Sequence, residues 1–511
     1  MENRELAISM KNITKTFGST VANKDVNLDV YKGEILSLLG ENGSGKTTLM
    51  NMLSGIYFPD SGRIFINGKE EIIKSPKDAL SLGIGMVHQH FKLVDVLSVA
   101  ENVVLGLEGR LDLPKAKSRI AELTKLINFN ISLDEKIYNM TVSQKQQVEI
   151  LKVLYRGANI IILDEPTAVL TPQETEELFE MLRSLKKEGK TVIIITHKLN
   201  EVMAISDRVS ILRKGEYIGT LITQDTNPQE MTDMMVGRSV SLNIERKEPE
   251  NPRLRLNVSN LTVKSEDGVT KLDNVSFYAN SGSVLGIAGI SGSGQKELLE
   301  AIAGLQKVES GSVTYINDDG TEEELLGMNP REISNKGVAL SFVPEDRLGM
   351  GLVGNMDLVN NVMLRSFREG KSVLLNQKDP RNLAKSIVDE LKVVTPGLDT
   401  PVRKLSGGNV QKVLVGREIS SAPTVLMTAY AVRGLDINSS YMIYDLINEQ
   451  KKKGVAVIYV GEDLDVLLEL SDHIVVLCDG KLSGVVDARK CDKNTIGMMM
   501  TQLKEEGRTN E

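Results

Sequence analysis

A strand, a glycine-rich loop and a helix occur twice in the same order, and this most constrains the fold of the chain. Gly33-Glu-Ile-Leu-Ser-Leu-Leu-Gly40 runs into Glu41-Asn42-Gly43-Ser44-Gly45-Lys46-Thr47-Thr48. Gly282-Ser-Val-Leu-Gly-Ile-Ala-Gly289 runs into Ile-Ser-Gly-Ser-Gly294-Gln295-Lys296. Later segments repeat as well. Ile205-Ser-Asp-Arg-Val-Ser-Ile-Leu212 is echoed by Leu470-Ser-Asp-His-Ile-Val-Val-Leu477. Apolar runs such as Asn159-Ile-Ile-Ile-Leu163 alternate with helical stretches, which predicts an α/β fold with parallel strands and crossover helices in each copy. The spacing predicts a first domain over 1–244, a linker over 245–254 and a second domain over 255–511. The linker carries charges and two prolines, Pro249 and Pro252, which disfavour regular structure. The second copy carries extra polar, loop-like residues near 317–326 and 367–381. Residues 107–137 hold no phosphate motif and predict a helical subdomain within the first copy.

With 511 residues the chain can bury two sizeable cores. Asp plus Glu number 69 against 61 Lys plus Arg, a net charge of −8, so nucleic acid is not an expected partner. Cys478 and Cys491 are the only cysteines, which fits a reducing compartment and excludes a disulfide framework. The opening residues do not resemble a signal peptide. No apolar run reaches the roughly 18 to 20 residues of a membrane span. Any role at a membrane is therefore expected to come through partners.

The loop from Gly40 to Thr48 matches the P-loop pattern in the required context, after a strand and opening a helix. Backbone N–H groups and the helix dipole would hold phosphate oxygens, Lys46 would add a charge, and the Thr47 hydroxyl would bind Mg²⁺. Ile161-Ile-Leu-Asp164-Glu165 is an apolar strand ending in two acids. Alone it reads equally as a solvated turn. After a P-loop it places Asp164 on Mg²⁺ and Glu165 on an attacking water. His197 ends the strand Thr191-Val-Ile-Ile-Ile-Thr196, where it could touch a γ-phosphate. Gln89 in Met86-Val-His-Gln-His-Phe91 could reach Mg²⁺ and the water.

This ordered set resembles the nucleotide-binding domains of ABC transporters, and the resemblance covers nearly the whole chain, twice. It implies ATP and Mg²⁺ as cofactors and ATPase activity. It places Phe17, in Lys15-Thr-Phe-Gly18, where the family stacks an aromatic ring on adenine. It also implies head-to-tail pairing, in which each site uses the other domain's signature segment. Leu405-Ser406-Gly407-Gly408-Asn409 is close to the family's signature, whereas Met140-Thr-Val-Ser-Gln144 has lost both glycines.

The second copy has lost the chemistry. Gln295 stands for Lys46, and Lys296 for the Mg²⁺-binding hydroxyl of Thr47. Thr428-Ala429-Tyr430-Ala431 stands for Leu163-Asp-Glu-Pro166, with Glu462 for His197 and Glu345 for Gln89. A position near Ser265 stands for Phe17. Losing one stabilising group typically costs about 10²–10³ in rate, so hydrolysis is expected only in the first copy. The intact signature belongs to the second domain, so it would complete the intact site of the first.

Tandem ABC domains without spans suit the energising subunit of an importer or a soluble translation factor. The short linker and the acidic balance favour the importer. A small-molecule kinase would share the P-loop but would explain neither the duplication nor the signature. The fused layout resembles ATPases of monosaccharide importers for ribose and galactose. Met86-Val-His-Gln-His-Phe-Lys-Leu-Val-Asp95 and Val343-Pro-Glu-Asp-Arg347 are closer to the nucleoside branch. The missing acid pair of the second domain points the same way. The resemblance implies two integral-membrane permease subunits, an extracytoplasmic substrate-binding protein, and a peripheral place on the cytoplasmic face of the membrane. It also implies no direct contact with the transported solute.

Overall fold

The computed structural model describes residues 5–502 apart from 19, 90, 108–111, 127–128, 130, 239–241, 266, 291, 336–339 and 368–374. The chain divides into two compact units, Met1–Ser241 and Leu242–Glu511. In the first, Ile35–Leu39, Ile160–Asp164 and Thr191–Thr196 are buried at every position. Strands covered on both faces need continuous apolar runs, which is why these segments carry so many Ile and Leu residues. They lie in a six-stranded sheet ordered Glu216–Ile222, Arg208–Arg213, Ile35–Leu39, Thr191–Thr196, Ile160–Asp164, Ile84–Val87. All neighbours are parallel except the first pair.

Register sets the site. Leu39 pairs with Thr196, and Asp164 with Ile195. The carboxyl ends of the three central strands therefore finish level, and Gly40, Glu165 and His197 leave the sheet at one edge. Open α/β sheets bind ligands at such edges. A second, antiparallel sheet of Thr20–Tyr31, Leu6–Phe17, Ser61–Ile66 and Lys69–Glu71 shares an apolar core with one face of the first. The helices Val99–Val104, Leu113–Leu126, Val142–Tyr155 and Pro172–Lys187 contribute to the core on the other side. The helix Leu113–Leu126 falls inside the stretch expected to form a helical subdomain, of which 108–111, 127–128 and 130 lie outside the described residues.

The second unit repeats this plan. Its six-stranded sheet runs Leu340–Val343, Val425–Ala429, Ala456–Val460, Val284–Ala288, His473–Cys478, Lys481–Asp487, with only the last pair antiparallel. Part of the extra sequence near 317–326 forms the turn between Ser310–Ile316 and the short strand Glu322–Glu324. Of the extra residues at 367–381, 368–374 lie outside the described residues, and the helix Lys378–Glu390 begins just after them.

The start of the expected linker is fastened to the second unit. Ile244 is buried in its core. Arg246 donates to the carbonyl oxygens of Leu468, at 2.8 Å, and Ser471. Lys451 Nζ donates to the Lys247 carbonyl at 2.6 Å, and Arg489 pairs with Glu248 at 3.1 Å. Among the described residues no helix is long and apolar enough to cross a membrane.

Candidate functional site

The glycine loop takes its shape from backbone angles that a side chain would resist. Gly43 and Gly45 sit at φ +79° and +94°. A Cβ at Gly45 would lie 2.3 Å from the Ala22 carbonyl oxygen. Beneath the loop, buried Asn23 donates from Nδ2 to the Gly45 carbonyl at 3.3 Å. Lys46 opens the helix Lys46–Leu53 and bends over the loop, donating to the Gly40 carbonyl at 2.7 Å and to that of Glu41 at 2.9 Å. Burial pulls its ammonium below the usual lysine range, against the pull of Glu165 and Asp164. Asn42 is exposed at the rim, while Glu41 and Thr48 are half-buried. Ser44 Oγ is buried with no hydrogen-bond partner among the described residues. An orphaned hydroxyl, a bent ammonium and a helix N-terminus in one loop fit a polyphosphate.

Two acids follow on the neighbouring strand. Thr47 Oγ1 donates to Asp164 Oδ1 at 3.2 Å. Burial pushes the Asp164 carboxyl up to about 6, helped by the Glu165 charge. A hydroxyl beside a carboxylate supplies two hard oxygen ligands, short of a cage. Among the described residues no cluster of three or more His, Cys, Asp or Glu could hold a metal. Magnesium is commonly held this way, by one or two protein oxygens, with phosphate and water completing the octahedron. The donor set therefore fits that ion.

Glu165 turns the chain at φ +47°, a left-handed conformation uncommon for a residue with a side chain. Its N–H donates to the Ile195 carbonyl at 2.9 Å, which fastens the turn to the next strand. Gln89 Nε2 donates to Oε2 of Glu165 at 3.0 Å, and His197 Nδ1 lies 3.0 Å from Oε1. The His197 contact does most to hold this carboxyl below the usual range. Gln89, Glu165 and His197 thus meet at one point, beside Lys46 and Asp164.

Sequence reasoning missed Glu201. Its buried carboxylate accepts from Thr167 Oγ1 at 2.5 Å and Thr196 Oγ1 at 3.1 Å. It therefore ties the segments that follow Glu165 and precede His197. A Glu in the first turn of a helix that opens two residues after His197 was the available signal.

Phe17 stands at the end of Leu6–Phe17 and is 44% exposed. Ser406 caps the helix Gly407–Ser420 of the second unit, accepting from the Asn409 N–H at 3.4 Å. Asn409 Nδ2 also donates to Ser406 Oγ at 2.9 Å. Gly407 and Gly408 leave that helix start bare of side chains. In the first unit Thr141 caps Val142–Tyr155, and Val142 and Ser143 stand where those glycines are.

In the second unit the backbone of the site is kept and its side chains differ. Tyr430 sits at φ +53°, and its N–H donates to the Val460 carbonyl at 2.9 Å, as Glu165 does to Ile195. Gln295 Nε2 donates to the Ile290 carbonyl at 3.1 Å, as Lys46 does to Glu41. Lys296 pairs with Glu300 at 3.8 Å. Arg433 bridges the two carboxylates that stand for Gln89 and His197, pairing with Glu345 and, at 3.3 Å, with Glu462. Burial beside those acids pushes the Tyr430 phenol up to about 12. This site holds a buried phenol, where the first unit has Glu165, beside an acid pair bridged by Arg433.

Fold and site together define a P-loop ATPase built from two cassettes. The model of the ABC transporter family matches residues 23–168 and 272–428. The nucleoside import ATP-binding protein of Lactococcus lactis is 42% identical over 503 residues, spanning 97% of this chain and 98% of its own. The guanosine import ATP-binding protein of Bacillus subtilis is 41% identical, spanning 99% of this chain and all of its own. The glucose import ATP-binding protein of Haloferax volcanii is also 41% identical, spanning 98% and 96%. The chain belongs to the ABC transporter family. It is an ATP-binding subunit of the importer type, with two fused ATP-binding domains and ATPase activity.

Proposed function

We propose that this chain hydrolyses ATP at one site to drive nucleoside import through separate membrane subunits. The observation that carries the reading is the Gln89–Glu165–His197 constellation of the first unit, set against Tyr430 and its bridged acids in the second. The relatives that import nucleosides and guanosine support the solute class. The eroded acid pair of the second domain supports it as well. The glucose import relative, equally similar over nearly the same span, is the observation behind a second reading, a monosaccharide as the solute.

In the first unit the loop Gly40–Thr48 and Lys46 hold the phosphates, and Phe17 carries the adenine. Thr47, Asp164 and Gln89 would hold Mg²⁺, which would offset phosphate charge. Glu165 polarises the water and accepts its proton as the oxygen bonds to the γ-phosphorus and the bond to the ADP oxygen breaks. His197 stabilises the γ-phosphoryl oxygens. Ser406, Gly407, Gly408 and Asn409 of the second domain complete the site, because a glycine helix start can approach a phosphate closely. Closure around ATP is passed to two permease subunits through segments after Gln89 and near Glu345. Exposed Val94, Val96, Met350 and Val353 in those segments support this role. An extracytoplasmic binding protein delivers the solute, which never touches this chain. The subunit works peripherally on the cytoplasmic face, and nucleic acid plays no part.

The test is co-purification with membrane partners, followed by uptake of labelled nucleosides against labelled monosaccharides. Nucleoside uptake that stops with Glu165→Gln supports the reading. Monosaccharide uptake alone would transfer it to the second solute class, and ribosomes in place of permeases would overturn it.

A further inference from the structure

The adenine side of the site holds a contact that the phosphate chemistry does not use. Phe17 ends the strand Leu6–Phe17, and Tyr57 stands in the turn after the helix Lys46–Leu53. Their ring centroids are 5.2 Å apart and their planes cross at 70°, an edge-to-face pair. Both rings stay accessible, Phe17 at 44% and Tyr57 at 37%. The pair sits on a braced turn. Asp60 accepts from the Thr16 N–H and Thr16 Oγ1, both at 2.7 Å, and from Lys15 Nζ at 2.8 Å. The Asp60 N–H in turn donates to the Thr14 carbonyl at 2.9 Å. Lys15 Nζ lies 5.5 Å from the Phe17 ring centroid.

The same helix carries Lys46 at its start and leads to Tyr57 at its end. A base platform and a phosphate loop are thereby parts of one braced piece. The second unit supplies a control within the chain. There the Glu309 N–H donates to the Thr262 carbonyl at 2.9 Å, and Lys264 pairs with Glu309 at 3.2 Å, so the backbone bond and the lysine pair of the brace are kept. Three residues beyond Thr14 is Phe17, and three beyond Thr262 is Ser265. Three residues before Asp60 is Tyr57, and three before Glu309 is Gln306. Both aromatics are absent together from the unit that lacks the hydrolytic set, while the brace that folds the turn remains. The turn therefore forms without the aromatic pair, which accompanies the Gln89–Glu165–His197 set.

We infer that Tyr57 is a positioning residue for the adenine of ATP, its ring fixing the plane of Phe17 against which the base stacks. This rests on the reading of Phe17 as the adenine platform. A ring at the end of a hairpin is free to turn, and binding must then supply the ordering entropy. Tyr57 removes that cost before the base arrives.

The test measures the Kd of the full chain for ATP and for inorganic tripolyphosphate, which has no base. Tyr57→Ala is expected to weaken ATP about 5- to 10-fold, in the range of one aromatic pair, and to leave tripolyphosphate within about two-fold. Tyr57→Leu, which keeps much of the volume but no ring, should behave the same way, and Tyr57→Phe should match the unaltered chain. Phe17→Ala should weaken ATP at least as much. Weakened ATP in Phe17→Ala with none in Tyr57→Ala overturns the role of Tyr57 and leaves the platform standing. No effect in either variant overturns the platform reading and this inference with it. Equal weakening of ATP and tripolyphosphate by Tyr57→Ala would make Tyr57 a prop for the turn and overturn the inference.

Discussion

His197 Nδ1 lies 3.0 Å from Oε1 of Glu165. The other oxygen, Oε2, accepts from Gln89 at 3.0 Å, so both carboxylate oxygens are held by neighbouring side chains. Pre-set groups of this kind contribute because they need no reorganisation during reaction. Glu165→Gln is expected to lower ATP turnover by at least about 10²-fold while ATP still binds, so that the ATP-bound form accumulates. Phosphate release from the purified chain or complex, alongside nucleotide retention, checks this. Hydrolysis at the full rate would remove Glu165 from the mechanism.

The second unit should be silent in the same assay. Tyr430 has no carboxylate to offer, and Arg433 ties Glu345 and Glu462 together beside it. Tyr430→Phe is expected to leave turnover within about two-fold, because the phenol proton is held by burial and plays no part. Tyr430→Glu should not add a second hydrolytic site either, since Gln295 and Lys296 still replace the lysine and the hydroxyl. A gain in turnover with Tyr430→Glu would show that the loop of the second unit binds ATP productively.

Much of this was legible in the sequence because it is local. A P-loop is contiguous, and a buried parallel strand announces itself as an apolar run, so Ile35–Leu39 and Ile160–Asp164 could be read directly. The loss of chemistry in the second copy could be read by aligning the halves. The backbone at Tyr430 could not, since nothing in Thr428-Ala429-Tyr430 says that the tyrosine keeps the left-handed turn of Glu165. The Phe17–Tyr57 pair and the Thr167 contact of Glu201 could not be read either. They join residues far apart in the chain and depend on where turns return it. The charged, proline-broken stretch after Ile244 shows the same effect. Composition suggests freedom, yet Arg246 and Lys247 find partners on the second unit.

A reciprocal pair of substitutions tests which signature serves the working site. Gly407→Val copies the Val142 of the first unit into the second. It places a branched side chain at the helix start proposed to approach phosphate, and a Cβ added there would lie 3.2 Å from Arg347 Nη1. Turnover is expected to fall about 10²-fold, the cost of losing aligned donors. Val142→Gly changes the exposed third residue of the other signature and should leave turnover within about two-fold. Thermal melting of both variants separates this from unfolding. The opposite pattern, loss with Val142→Gly and none with Gly407→Val, would reverse the assignment of signatures to sites.

The helix Val99–Val104 begins ten residues beyond Gln89, and its stability should depend on pH through Glu101. Ser98 caps the helix, and its N–H donates to Glu101 Oε2 at 2.6 Å. Lys136 Nζ approaches the same oxygen at 3.2 Å. The Ser98 backbone bond, then its side chain and Lys136, hold the Glu101 carboxyl down at about 2, below the ordinary glutamate value of 4.5. A folded value below the unfolded one means that the unfolded state binds the proton more tightly. The stabilisation is therefore complete above about 4.5 and is lost as pH falls towards 2. Glutamine mimics the protonated acid and can still fill the capping box, so Glu101→Gln isolates the charge. Its melting temperature is expected to be below that of the unaltered chain at pH 7, with the gap narrowing steadily between pH 4.5 and pH 3. Melting curves followed by circular dichroism across that range check the sign, and a gap that widens on acidification would rule out the charge as its source.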